Sequence, residues 1–127
     1  MIATQVQKAV IDALMAAPPL CDGRIYDAVP SMPKFPYVTI GEETYVENGN
    51  ACGDEWDAFP TVHIWSRKPG HVEAKQIIAA ASDRILAIPA IADFTLIAIN
   101  HESARVFTDP DGLTAHGVSS FRFITTA

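Results

Sequence analysis

The sequence predicts an α+β fold, a mixed or antiparallel sheet of about five or six strands with two amphipathic helices packed on one face. Three observations carry this expectation. Segments of alternating apolar and polar residues recur from residue 37 onward, which is the period of a half-buried strand. Two other segments repeat apolar residues at helical spacing. Residues 109–112, Asp-Pro-Asp-Gly, supply the four positions of a type I turn, so the chain reverses between its last two strands.

A chain of 127 residues fits one domain, 1–127, large enough to bury roughly two thirds of its unfolded surface without staples. Apolar residues make up 49% and charged residues 19%, the balance of a folded domain. The formal net charge of −6 gives no electrostatic grip on nucleic acid. The two cysteines, Cys21 and Cys52, are too few for a disulfide scaffold, no secretory signal precedes them, and both are expected as free thiols in a reducing cytoplasm. No stretch approaches the ~20 apolar residues of a membrane-spanning helix, so a soluble protein is expected.

Residues 4–17 predict the first helix. Val6, Val10, Ala13, Leu14 and Ala17 share one face, Thr4 and Gln7 have the spacing of a capping box, and Pro18 and Pro19 end it. Residues 24–27 predict a short edge strand. Pro30, Pro33 and Pro36 then forbid helix or central strand, and residues 37–40 resume a strand with Val38 and Ile40 on one face.

Residues 41–58 contain no Lys or Arg, yet hold six of the fifteen acids: Glu42, Glu43, Glu47, Asp54, Glu55 and Asp57. Eighteen residues is long for a structureless connection, so a projecting acidic hairpin or loop is expected at about 42–58. Asn48 and Gly49 carry a turn signal, with 50–53 widening the tip. One reading leaves this arm solvated and without a partner. The other makes it a contact arm, with Glu42, Glu43, Glu47, Asp54, Glu55, Trp56, Asp57 and Trp65 as candidate partner-contact residues.

Residues 59–66 predict a strand with Val62 and Ile64 on one face and Thr61, His63 and Trp65 on the other. Pro60 belongs at its first residues or on an edge. The clearest helix follows, with Ala74, Ile77, Ile78, Ala81, Ile85 and Ile88 in one stripe and Pro89 after it. Residues 94–99 are apolar on both faces, Phe94, Leu96 and Ala98 opposing Thr95, Ile97 and Ile99, and predict a central strand. Strands at 103–108 and 117–125 close the sheet, with Phe121 and Phe123 on one face and Arg122 on the reverse; 109–116 is expected to hold the turn and a short irregular crossover. With only two helices available, the face bearing Trp65 is left for a neighbouring subunit to complete.

Catalytic motifs are absent: there is no GxGxxG, Walker loop, HExxH, CxxC or GxSxG. His63, His71, His101 and His116 lack metal-ligand spacing. A metal set of His101, Asp109, Asp111 and His116 is the alternative to plain turn chemistry, and the turn is the preferred reading. No cofactor and no metal is expected.

The ordered set GRIYDAVP (23–30), FPYVTIGE (35–42), HIWSR (63–67), EAKQI (73–77) and SARVFTDPDGLTAHGVSSFRF (103–123) resembles the tail completion or tail terminator family of long-tailed bacteriophages, prophages and gene transfer agents. The resemblance implies a non-enzymatic virion protein forming a ring, commonly hexameric, at the head-proximal end of the tail tube. Such a homo-oligomer would end tube polymerisation and join the tail tube protein to a head-side connector or stopper, with DNA passing through its lumen unbound. Two readings of other classes stand beside it: a small metal-binding or metal-dependent enzyme domain centred on 101–116, and a dimeric protein-binding module.

Overall fold

The computed structural model describes residues 1–49 and 54–127. The expected wide tip at 50–53 and the thiol of Cys52 lie outside the described residues. Cys21 is a free, half-buried thiol that burial pushes up to about 11.

The described residues form two α-helices, α1 (Ala3–Met15) and α2 (Val72–Leu86), and a mixed sheet of seven strands. These are β1 (Ile25–Tyr26), β2 (Tyr37–Ile40), β3 (Thr44–Glu47), β4 (Glu55–Phe59), β5 (Thr61–Ser66), β6 (Thr95–Thr108) and β7 (Ala115–Thr126). The sheet is not closed, and it has one or two more strands than the pattern predicts.

β7 is the spine. β6 runs antiparallel along one of its edges, while β5 and β4 share the other, β5 beside the first half and β4 beside the second. Outside β5 lie β2, antiparallel, and then β1, parallel; outside β4 lies β3, antiparallel.

Pro60 sits between β4 and β5, which face β7 in one unbroken register, Ala58 opposite Phe123 and Thr61 opposite Ser120. Its carbonyl accepts the Phe121 N–H at 3.0 Å, but it has no N–H to return, so one rung of the ladder is missing. Pro60 is therefore neither a strand's first residue nor on an edge. It marks the place where the outer neighbour changes from β2 to β3.

The helices cover one face. Ile2, Val6, Val10 and Leu14 of the first helical segment and Ala74, Ile78, Ala81 and Ile85 of α2 close over Val38, Ala58, Val62, Ile64, Phe121 and Phe123. Gly117 lets α2 approach, since a Cβ there would stand 3.1 Å from Ile78 Cδ1. Ser82 of α2 meets Ser119 of β7 at 2.9 Å, pairing two hydroxyls that would otherwise be buried bare.

Several local expectations are corrected. α1 starts one residue before Thr4, with Ile2 fully buried at its N-cap, so no capping box forms and Thr4 Oγ1 donates to Gln5 Oε1 instead. α1 ends at Met15, leaving Ala17 exposed outside it. Residues 94–99 are not a central strand: Phe94 bridges back to Ile91, and 95–99 open β6, which pairs only with β7 and runs as one strand with two bulges to Thr108. A bulge at Ile97 resets the alternation, so Leu96 and Ile99 both meet the core while Ile97 stays 56% exposed. No crossover separates β6 from β7; the chain reverses within 109–114, where the Gly112 N–H reaches the Asp109 carbonyl at 2.9 Å and the Asp109 N–H the Thr114 carbonyl at 2.8 Å.

Arg84 of α2 closes the end of α1. Its guanidinium donates to the carbonyls of Leu14 (3.0 Å), Ala16 (2.9 Å) and Pro18 (2.6 Å), groups that no longer have intrahelical partners. Arg84→Met keeps the aliphatic stem and removes these donors, and is expected to cost about 1.5–3 kcal/mol in urea denaturation.

Candidate functional site: the helix-free face and the sheet edges

The acidic segment builds the β3–β4 pair. The Asn48 N–H reaches the Glu55 carbonyl at 2.8 Å and closes the pair towards the tip. Glu42, Glu47 and Asp54 are exposed. Glu43 is half-buried, accepts a hydrogen bond from the Tyr45 hydroxyl, and is held above the usual carboxylate range by burial. Glu55 is half-buried at the start of β4, and Trp56 is half-buried against the helix-side core.

Asp57 lies elsewhere. It is 1% exposed, and its Oδ2 accepts from Arg122 Nε (3.0 Å), Arg122 Nη2 (2.5 Å) and Asn48 Nδ2 (3.0 Å). Its Oδ1 is buried with no hydrogen-bond partner among the described residues. The structure places Asp57 inside the sheet's own charge pairing, whereas Glu42, Glu47 and Asp54 are exposed.

Trp65 lies on the helix-free face, within a row of aromatic rings. Its indole stacks on His116 with centroids 3.8 Å apart and donates to Thr39 Oγ1 at 3.0 Å. Tyr37 stacks beside it, Phe35 tilts against Tyr37, and Arg67 lies 4.5 Å over the Phe35 ring. Phe107 tilts against His116 from β6. These rings satisfy one another within the chain.

The four proposed metal ligands do not converge. His101 reaches Ser119 Oγ at 2.8 Å on the helix side of the sheet, whereas His116 lies on the opposite face and holds Asp109 at 2.9 Å. Asp111 turns back to the Thr114 hydroxyl and to the Leu113 and Thr114 amides, which hold its carboxyl at about 2. Among the described residues, no group of three or more His, Cys, Asp or Glu is placed to hold a metal ion. The Asp109–Gly112 segment is turn chemistry.

The least expected feature is the pair of sheet edges. Because the Phe121 N–H points to Pro60, the odd-numbered residues of β7 turn their backbone groups towards β5 and β4, and the even-numbered ones towards β6. Ser103, Arg105 and Phe107 oppose Ser120, Val118 and His116 and complete those rungs. Ala104 and Val106 therefore direct both N–H and C=O outward. On the opposite edge the Asn48–Glu55 bond places Thr44 and Val46 towards β4, so Tyr45 and Glu47 point outward. Sequence reasoning split β6 in two; the absence of Gly and Pro from 95 to 108 was the signal for a single long strand.

The family described as Tail completion protein gp17 matches residues 3–126. The tail completion protein gp17 of Bacillus phage SPP1 is 28% identical over 123 residues, covering 93% of this chain and 90% of that protein. Among solved structures, a chain in the virion of a native gene transfer agent particle superposes with a TM-score of 0.89 at 22% identity, covering 99% of this chain and 98% of its own. The structure of the SPP1 gp17 protein superposes with a TM-score of 0.60 at 22% identity, covering 95% and 88%. No described helix is long and apolar enough to cross a membrane. By a family match spanning almost its whole length, supported by a relative and by folds of the same kind, this chain belongs to the tail completion protein gp17 family.

Proposed function

We propose that the protein is a structural component of a phage or gene-transfer-agent tail, forming a closed ring at the head-proximal end of the tail tube. The ring ends tube polymerisation and offers its other side to a head-side connector or stopper. One observation carries the reading: the open sheet has unlike free edges on its two sides, the 14-residue β6 on one and, on the other, the 4-residue β3 beside the 2-residue β1. Unlike edges pair head to tail, and a head-to-tail contact whose rotation closes makes a ring. A long free edge is otherwise a liability, since its backbone groups invite pairing.

The net charge of −6 suits a conduit. DNA carries one charge per ~1.7 Å of axis, and a lumen lined with Lys and Arg would hold it, whereas an acidic one lets it slide. Glu42, Glu47 and Asp54 are the exposed acids of the hairpin and its base, and they serve as contacts to the next subunit or to the tube protein. The aromatic row around Trp65 stabilises the subunit itself.

Light scattering and negative-stain imaging, with and without the tube protein, test the reading. The wild-type chain is expected to form rings, probed as hexamers. Ala104→Pro removes an outward N–H without touching the β6–β7 ladder, so it should leave a folded monomer. Wild-type protein that stays monomeric under every condition would refute the ring. Rings that persist in Ala104→Pro would refute the β6 edge as its seam.

A further inference from the structure

Four titratable side chains form one line across the helix-free face. Asp109 Oδ1 lies 2.9 Å from His116 Nδ1, His116 Nε2 lies 2.6 Å from His63 Nδ1, and His63 Nε2 lies 3.5 Å from Glu42 Oε2. They come from four places in the chain: the β6–β7 turn, β7, β5 and the bend between β2 and β3. The two imidazole side chains are only 11% and 16% exposed, while that of Glu42 is 80% exposed.

The arrangement dictates where protons sit. A neutral imidazole has one N–H and one bare nitrogen, and two rings can bond directly only if one nitrogen is bare. Asp109 accepts from His116 Nδ1, so His116 Nε2 is the bare acceptor and His63 Nδ1 is the donor. The remaining bare nitrogen is His63 Nε2, which faces Glu42. A first extra proton enters there and finds a carboxylate. A second would set two N–H groups against each other across 2.6 Å.

We propose that His63 and His116 form a one-proton latch, in which a single proton taken up at His63 Nε2 draws Glu42 onto the sheet and fastens the β2–β3 bend to β5. Gly41 leaves the room this requires: a Cβ there would stand 2.5 Å from both Nε2 and Cδ2 of His63. The bend is already tied to β5 by the Gly41 N–H to the Thr61 carbonyl (2.9 Å) and the Thr61 hydroxyl to the Glu42 carbonyl (2.6 Å). The latch adds a third tie under acid control.

The charged groups around His63 set the pH window. Burial and the neighbouring His116 hold its protonation below the ordinary imidazole range, Glu42 opposes them, and Arg105 from β6 adds to the depression. Asp109 acts at the far end of the line through His116. β2 contributes Thr39 opposite His63 and no charge. A histidine whose folded value is depressed leaves the unfolded chain binding more protons, so stability falls as pH drops below about 6.5. The latch closes at the acid end of that window.

Long-range proton–nitrogen NMR of the ring nitrogens between pH 8 and 5 tests the latch on the intact chain. The expected result is Nδ1–H on both rings at pH 8, one proton gained by the pair on acidification, and a higher protection factor at the Gly41 amide, measured against its intrinsic exchange rate at each pH, as it enters. Glu42→Gln, an exposed change that leaves the core untouched, should make His63 titrate about half a pH unit lower and abolish the gain in protection at Gly41. An Nε2–H tautomer on either ring at pH 8, two independent protonations in the folded chain, or a Glu42→Gln titration identical to wild type would each overturn the proposal. The latch needs no second subunit, so its failure leaves the ring untouched and the converse holds.

Discussion

Arg122→Leu is expected to destabilise the chain, measured as a lowered urea midpoint at constant slope. The loss comes from Asp57. That carboxylate is 1% exposed, and two of its three hydrogen bonds among the described residues come from Arg122. Removing the guanidinium leaves a buried charge with only the Asn48 amide to face. A partnerless buried ion costs far more than a pair contributes, because the desolvation of the charge remains when its compensation is gone. Replacing both members, with Asp57→Leu alongside Arg122→Leu, should therefore cost less than Arg122→Leu alone. A double variant less stable than that single one would show that the pair is favourable in itself. Since Asp57 stood among the candidate partner contacts, the same experiment separates its role inside the subunit from any role in assembly: the destabilisation should appear in the monomer.

Phe123→Ala is expected to cost about 3–5 kcal/mol in the same measurement. Phe123 is fully buried and lies where β7 is flanked on both sides, by Ala58 of β4 and Ile99 of β6. The helices close over the ring from above. Neither flanking strand can collapse into the vacancy without breaking its ladder to β7, so the cavity persists and adds to the lost transfer energy. Ile124, the next residue, faces the helix-free side and is half-buried, and Ile124→Ala should cost clearly less. Equal losses at 123 and 124 would mean that the two faces are equally closed and that the one-sided helix layer contributes little.

The faces of the strands were legible in the sequence because alternation is local. Val62 and Ile64 against His63 and Trp65, and Phe121 and Phe123 against Arg122, stand in the structure as the period-two pattern predicts. The helical stripes hold for the same reason: Ala74, Ile78, Ala81 and Ile85 of α2 are buried, with Ile77 and Ile88 half-buried at the stripe's border. Alternation failed at Ile97, where a bulge adds one residue and reverses the faces as far as His101; a second bulge before Ser103 restores them. Bulges carry no reliable composition signal in a stretch of Ile, Ala and Leu, and the apparent two-sided apolarity of 94–99 was the parity change itself.

The candidate site was legible only in part. The acidic run at 41–58 announced itself by composition, but composition could not separate Asp57, which turns into the sheet, from Glu47 and Asp54, which face water. Trp65 was placed on the correct face, yet its stacking on His116 depends on a residue 51 positions further along, brought alongside by the β5–β7 register. The His63–His116 bond and the Arg84 cap over α1 have the same origin.

By itself, then, the sequence determined the α+β class, the two helical stripes, the inward faces of the strands, the turn at 109–112 and the family resemblance. The tertiary structure alone decided which strand is the spine, that β6 is a long edge and that Pro60 falls between two strands in one register. It also decided that four titratable side chains from distant segments share one line. The division follows from the physics of a sheet: side-chain direction is written residue by residue, whereas the partner across each ladder is chosen by long-range register among several strands of similar pattern.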